Sequence, residues 1–156
     1  MKTRTFIDNA QTERAVSAKT LSGIRRTVLN SLEYMHIDFP CEVSIKLVSP
    51  DEIRQLNRDF RGIDEQTDVL SFPSGEYTYG EQPQLNKNTR VFLGDMAICV
   101  DIAYKQSYVG HSPRMELELL TAHSMLHLLG FDHRTKKEEK DMFFKQDEIL
   151  KMRKTN

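Results

Sequence analysis

The chain has no tryptophan, two cysteines among its 156 residues, and no excess of either charge. Two cysteines are too few for a disulfide framework and fit a reducing compartment. With 22 basic and 23 acidic residues the net charge is −1, so the sequence lacks the overall positive field that nucleic-acid-binding proteins often present. Composition therefore does not indicate a nucleic-acid partner.

Long apolar runs are missing as well. No stretch approaches the roughly 18 apolar residues of a membrane-spanning helix, and no apolar run follows Met1 as in a signal peptide. We therefore expect a cytoplasmic protein without a membrane partner. A hydrophobic content of 38% over this length is enough for one core, which predicts a single domain over residues 1–156.

Hydrophobic periodicity predicts an α+β fold, in which a mixed sheet of about four strands packs against helices. The predicted strands are Arg4–Ile7, 43–47, Val69–Phe72 and Val91–Val100. The predicted helices are 12–35, 50–60, 102–108, 113–129 and 136–152, and a long polar loop covers residues 73–88.

Local signals mark several ends of these elements. For the helix 50–60, the sequence predicts Ser49 as the N-cap and Pro50 as the first helical residue. Glu52 is predicted to complete a capping box, and Gly62 to end the helix. The helix 113–129 is apolar on most sides, so we expect it to be the buried central helix. In the last helix, the residues expected to pack inward are Met142, Phe143, Ile149 and Leu150.

Three of the five histidines lie between residues 123 and 133, with the spacing His-x3-His-x5-His. On a helix, residues four apart share one face, so His123 and His127 can each place a ring nitrogen ~2.0–2.1 Å from one zinc ion. Gly130 stands where such a helix would end, because glycine tolerates the left-handed conformation that turns the chain. The turn would let His133 return as a third ligand. The pattern predicts one zinc ion per chain.

Three nitrogen ligands leave the fourth position of a tetrahedral zinc ion open, which is typical of catalytic sites. A water molecule there has its pKa lowered to about 7 and becomes a nucleophile. A structural zinc would need a closing ligand, for which Cys41, Cys99 and Asp132 are candidates. Buried histidines without metal are the ordinary alternative for His123 and His127, but the agreement of helix, glycine stop and third histidine favours metal.

The residue after the first histidine is Ser124, where the zinc-protease motif His-Glu-x-x-His has its general base. A serine hydroxyl has no useful basicity near neutral pH, which argues against peptide hydrolysis by that mechanism. Glu116 lies two helical turns before His123, too far along the axis to stand beside the metal. Asp132 suits a turn residue or a hydrogen-bond partner of the site better than a base, so the general base is unassigned.

The segment HSMLHLLGFDH, residues 123–133, resembles the signature His-Gly-x-Leu-His-Leu-x-Gly-Tyr-Asp-His of the YbeY-type endoribonuclease family. In this segment, Ser124 stands where glycine is usual and Phe131 where tyrosine is usual. Outside it, Met115 stands where arginine is usual after the family's Gly-His-Ser. Further similar segments are LNRDFRGIDEQTDVLSFP (56–73), LGDMAI (93–98), GHS (110–112) and MFFKQDEIL (142–150).

The resemblance implies a metal-dependent ribonuclease active in ribosomal RNA maturation and ribosome quality control. It also singles out the arginine before a glycine, here Arg61. At a helix end, Arg61 can instead complement the helix terminus or sit in water. A guanidinium fork suits paired phosphate oxygens, and Gly62 permits close backbone approach, which favours a role in binding phosphate. His111, Asp64, Asp68 and Asp95 stay ambiguous, and Asp95 can be a strand-end bulge residue.

We therefore predict a single α+β domain with a zincin-like metal helix that hydrolyses single-stranded RNA. Arg61 and His123 are the predicted catalytic residues, and His123, His127 and His133 the metal ligands. The expected partners are precursor ribosomal RNA and small-subunit ribosomal proteins, with no DNA. The alternatives are a zinc peptidase and a ribosome-assembly protein with structural zinc.

Overall fold

A computed structural model describes residues 3–83, 85 and 90–152, which contain four strands and five helices. In chain order they are β1 (Arg4–Asn9), α1 (Ala18–Tyr34), β2 (Cys41–Val48), α2 (Pro50–Arg61), β3 (Val69–Pro73), β4 (Val91–Cys99), α3 (Val100–Gln106), α4 (Pro113–Leu128) and α5 (Lys136–Lys151). Among these described helices, none combines the length and hydropathy needed to cross a membrane.

The strands form one mixed sheet in the order β1-β2-β4-β3. β1 and β4 both run parallel to β2, whereas β3 is antiparallel to β4 and lies at the edge of the sheet. The predicted α+β class, with a mixed sheet of about four strands, is confirmed.

β4 contains a bulge, because Glu42 pairs with Phe92 and Val43 pairs with Gly94, which leaves Leu93 as an extra residue. An ideal Cβ on Gly94 would lie 2.3 Å from the carbonyl oxygen of Phe72, so glycine lets β3 approach closely. Asp95, a possible strand-end bulge residue in the sequence, lies inside β4 and pairs with Ser44 on β2.

The two faces of the sheet are covered differently. α1, α4 and α5 pack together on one face, and α4 contacts both of these helices as well as α3, β3 and β4. Its residues Leu117, Leu126 and Leu128 are fully or nearly fully buried, as expected for the central helix. α2 packs over β3 and β4, where Ile53 joins a smaller buried cluster with Ala97.

Two helices begin elsewhere than predicted. α1 starts at Ala18 instead of Thr12, because Ser17 caps it by accepting a hydrogen bond from the backbone N–H of Thr20. Before it, the side chain of Gln11 bonds both the N–H and the carbonyl of Arg14, which fixes a loop. α3 spans Val100–Gln106 instead of residues 102–108, so Val100 is helical and not the end of β4.

The ends of α2 agree with the prediction. Ser49 accepts a hydrogen bond from the backbone N–H of Glu52, Pro50 is the first helical residue, and Gly62 ends the helix with φ +73°. The predicted capping-box role of the Glu52 carboxylate is wrong, because this group lies 2.6 Å from Nζ of Lys46 and pairs with β2. Because α2 ends at Arg61, this side chain is placed beside edge strand β3.

Candidate metal centre

The last turns of α4 bring His123 and His127 onto one face. Their Nε2 atoms lie 3.2 Å apart, and their ring centroids are separated by 4.7 Å. Two nitrogens that bind one zinc ion at ~2.0–2.1 Å in tetrahedral geometry are about 3.3 Å apart. The helical spacing therefore produces a pair of nitrogens at the separation that a shared metal ion requires.

The third histidine reaches the pair through the turn that follows α4. Leu129 caps the helix and Gly130 has φ +103°, as predicted for the residue that turns the chain. A Cβ on Gly130 would lie 2.6 Å from Cγ2 of Thr78, so the turn also has no room for a side chain. His133 returns to the helix end, and ring nitrogens of all three histidines lie within 4.8 Å of one another.

Hydrogen bonds fix the orientation of two of these rings. Nδ1 of His123 lies 2.9 Å from Oε1 of Gln146 on α5, and Nδ1 of His127 lies 2.9 Å from the carbonyl oxygen of Phe131. Because carbonyl oxygens only accept, each Nδ1 carries the proton and each Nε2 presents its lone pair to the centre. This is the tautomer that binds metal through Nε2.

Burial lowers the pKa of both helix histidines. For His123, the hydrogen bond that its Nδ1–H donates to Gln146 and the negative charge of Asp68 oppose this lowering of the pKa, while His133 adds to it. For His127, the nearby His123 and His133 also lower the pKa. The neutral form, which a metal ligand needs, is thus favoured at both positions.

The donor set fits a metal ion with an open position. Within the described residues 3–83, 85 and 90–152, the three histidines converge here, and no cysteine or acidic side chain joins this group of ligand atoms. Cys41 and Cys99, which the sequence offered as closing ligands, are buried elsewhere in the core. Both carboxylate oxygens of Asp132 are engaged, by the N–H of His133 and by Nε of Arg134.

A cavity of about 700 Å³ opens in front of the histidines. One wall is edge strand β3 with the residues before it, and the opposite wall is the turn from Gly130 to Arg134. Arg61 also lines it, reaching past β3 from the end of α2. One of its terminal nitrogens donates to the Ser71 carbonyl at 2.5 Å, and its guanidinium lies over the Phe72 ring, 5.1 Å from the centroid.

A family model described as Endoribonuclease YbeY matches residues 6–154. The chain belongs to the endoribonuclease YbeY family. A protein named Endoribonuclease YbeY from Thermoanaerobacter sp. (strain X514) is 42% identical over 151 residues, which cover 93% of this chain and 94% of the relative. Another of that name, from Bacillus licheniformis, is 47% identical over 110 residues, or 70% of each chain.

The fold is also similar to a solved structure. The solution structure of TM1509 from Thermotoga maritima has a TM-score of 0.54 and 25% sequence identity, and the match covers 96% of this chain and 87% of that one. The resemblance seen in the motifs of the sequence is therefore confirmed over nearly the whole chain.

Ser124, which differs from the usual glycine of the YbeY signature, has a structural partner. Its side chain is fully buried, and its hydroxyl lies 2.7 Å from the hydroxyl of Ser71 on β3. Ser71 in turn accepts the hydrogen bond from Arg61 through its carbonyl. The position that carries a glutamate in zinc proteases thus joins the metal helix to the edge strand in this YbeY protein.

The remaining candidates divide between the cavity and other surfaces. Asp68 lines the cavity, whereas Asp64 is exposed and pairs with Arg54, and Asp95 is exposed on β4. Glu116 is buried and accepts from His111, whose Nε2 lies 2.7 Å from it. Glu116 is absent from the converging ligand atoms and from the lining of the cavity, in agreement with its predicted position away from the metal site.

One prediction about α5 is wrong. Met142 and Ile149 are buried and Leu150 packs against the core, as expected, but Phe143 is 43% exposed. Its ring faces His123, with centroids 6.4 Å apart, so it flanks the metal centre. The same helix supplies Gln146, which contacts His123. Local sequence spacing could not predict this contact, because the two residues are distant in the chain.

Proposed function

We propose that this member of the endoribonuclease YbeY family is a zinc-dependent endoribonuclease that cleaves single-stranded RNA. The activity is the one that its relatives are named for. The observation that carries the proposal is the common cavity of Arg61 and the three histidines. A phosphate-binding cation beside a three-nitrogen metal site is the arrangement that phosphodiester hydrolysis needs.

We infer that His123, His127 and His133 hold one zinc ion per chain, since three imidazole nitrogens suit zinc. When bound, zinc supplies Lewis-acid chemistry that polarises a phosphate oxygen and activates water near neutral pH. The hydrogen bonds of Gln146 and the Phe131 carbonyl hold the His123 and His127 rings in orientation for this task.

The role of Arg61 is to bind the scissile phosphate and to stabilise its developing negative charge. A guanidinium has five N–H donors, and the hydrogen bond to Ser71 uses one terminal nitrogen. The others are available to paired phosphate oxygens in the cavity. The contacts with Ser71 and Phe72 keep the side chain at the wall of the cavity that the histidines also line, so it needs little reorganisation when RNA arrives.

The proposed substrate in the cell is precursor ribosomal RNA, in maturation and quality control of the ribosome, and the proposed protein partners are small-subunit ribosomal proteins. We propose the cytoplasm as the compartment of this reaction, and we propose neither a membrane nor a DNA partner. The whole chain, residues 1–156, forms the catalytic unit under this proposal.

The competing peptidase reaction lacks its usual base, because Ser124 is buried against Ser71. The test is to incubate zinc-loaded protein with a single-stranded RNA and with unstructured peptides side by side. We expect RNA cleavage that a chelator stops, and no peptide cleavage above buffer. His127→Ala controls for contaminating nuclease. Peptide cleavage without RNA cleavage, or RNA cleavage that survives in His127→Ala, would overturn the proposal.

A further inference from the structure

Asp68 occupies the wall of the cavity that faces the metal centre. It is half-buried just before β3, and its main chain is fixed because its carbonyl accepts a hydrogen bond from the N–H of Cys99 at 2.8 Å. It is not in the group of converging ligand atoms, yet its charge acts on His123. Asp68 is therefore near the centre without belonging to the three-histidine ligand set.

A row of hydrogen-bonded polar side chains orients the Asp68 carboxylate. Nε2 of Gln106 donates to Oδ2 of Asp68 at 3.3 Å and to the buried carboxylate of Glu116 at 2.7 Å. Glu116 is held in turn by His111 at 2.7 Å. The hydroxyl of Thr67 lies 3.5 Å from Oδ1 of Asp68. The row connects α3, α4 and the start of β3, so the orientation of Asp68 is set by three elements.

The other carboxylate that lines the cavity, that of Asp132, already accepts hydrogen bonds at both oxygens. Asp132 accepts from the N–H of His133 at 2.8 Å and from Arg134 at 2.9 Å. By contrast, across the described ranges 3–83, 85 and 90–152 no salt bridge joins Asp68 to a lysine or arginine. A carboxylate oxygen that is not committed to a cation can take up a proton, which is the property missing from Ser124.

We propose that Asp68 is the proton acceptor of the cleavage reaction. This inference rests on the proposed ribonuclease function and fills the place of the general base. As the oxygen of the attacking water bonds to phosphorus, one of its protons passes to the Asp68 carboxylate. The bond from phosphorus to the leaving ribose oxygen breaks, and that oxygen keeps the electron pair and takes a proton from solvent. Asp68 then returns its proton to solvent.

The first test is Asp68→Asn, which keeps the size of the side chain and an oxygen for Gln106 but has no basicity. We expect single-turnover cleavage of single-stranded RNA to fall by roughly 10²- to 10⁴-fold. Bound zinc and the midpoint of urea unfolding should not change. In chelator, where no cleavage occurs, affinity for the same RNA measured by fluorescence anisotropy should stay equal or rise, because a negative charge has left the cavity.

Asp95→Asn is the matched control, since Asp95 is an exposed carboxylate on β4 outside the cavity, and it should cleave at the wild-type rate. A wild-type protein without ribonuclease activity would defeat the proposed function itself. If the wild type cleaves and Asp68→Asn is within threefold of it, Asp68 is not the base. Loss of zinc or weaker RNA affinity in Asp68→Asn would assign it a ligand or binding role instead.

A second variant keeps the proposal testable if the asparagine disturbs the fold. Asp68→Ala removes the acceptor and leaves space for a small carboxylate, so added formate should raise its cleavage rate at least about tenfold. Formate should not accelerate His127→Ala, which retains Asp68. A rate for Asp68→Ala that is the same with and without formate counts against a missing proton acceptor.

Discussion

The side-chain oxygen of Gln146 on α5 lies 2.9 Å from Nδ1 of His123 on α4. This contact is made across two helices and fixes which ring nitrogen of His123 faces the centre. Partners that orient metal-bound histidines typically change metal affinity by ten- to a hundredfold when removed. Gln146 thus links the packing of the last helix to the candidate metal site.

Gln146→Leu should therefore weaken zinc binding by about ten- to a hundredfold with little loss of fold stability. Competition with a chromophoric chelator measures the affinity. Gln55→Leu, the same change at an exposed position of α2, should bind zinc like the wild type. Equal zinc affinities of the Gln146→Leu and wild-type proteins would show that the hydrogen bond does not orient His123.

Arg61→Ala should keep zinc and fold yet lose about a hundredfold or more in cleavage rate, roughly 2.7 kcal/mol, the effect of removing one charge-stabilising donor. Arg61→Lys should recover only part of this loss, because an ammonium cannot make the paired hydrogen bonds of the planar fork. Single-turnover cleavage of single-stranded RNA is the measurement.

Arg58→Ala controls for the loss of one positive charge, since Arg58 is exposed on the same helix and pairs with Asp59. It should cleave at nearly the wild-type rate. A wild-type rate for Arg61→Ala would instead remove Arg61 from the chemistry and leave its contacts with Ser71 and Phe72 as a packing feature.

Gly94→Ala should destabilise the sheet by about 1–3 kcal/mol, because the new Cβ would meet the Phe72 carbonyl at 2.3 Å and a methyl of Leu128 at 3.0 Å. Urea unfolding measures the change. Gly75→Ala is the matched control: it also has positive φ, but nothing lies within 4 Å of its Cβ position, so it isolates conformational strain from the clash. Equal losses of unfolding free energy in both variants would show that the clash does not contribute.

Cys41 and Cys99 should not react with a thiol reagent in the native protein at mildly alkaline pH. Burial raises the pKa of the Cys41 thiol to about 12 and also raises that of Cys99, and the reactive species is the thiolate. Because the folded-state pKa is raised, the thiols contribute stability below their ordinary pKa and lose it as the pH rises toward the folded value. Both should react in denaturant, and fast labelling without denaturant would refute their burial.

Features that depend on neighbours in the chain were predictable. The i,i+4 spacing places His123 and His127 together, and Gly130 turns the chain because no other residue adopts its backbone conformation cheaply. The same reasoning located Ser49, Pro50 and Gly62 at the ends of α2. In each case the geometry is set within one or two helical turns, so periodicity and capping chemistry are sufficient.

Contacts between distant segments were not predictable from spacing. The bond between Ser71 and Ser124, the row from His111 to Asp68, and the position of Gln146 all arise when helices pack on the sheet. The predicted start of the first helix at residue 12 was also wrong, because side-chain bonds of Gln11 to Arg14 compete with the helix there. Phe143 was expected in the core, although its place on α5 beside His123 keeps it partly exposed.

The central claim is that three imidazoles hold one metal ion and leave a position open for chemistry. X-ray absorption at the zinc edge of the loaded protein, in wild type and in Asp132→Asn, tests it most directly. We predict three imidazole nitrogens at ~2.0–2.1 Å and one oxygen from water, with the same spectrum in both proteins. Sulfur at ~2.3 Å, or a spectrum that changes in Asp132→Asn, would mean a fourth protein ligand and contradict the account.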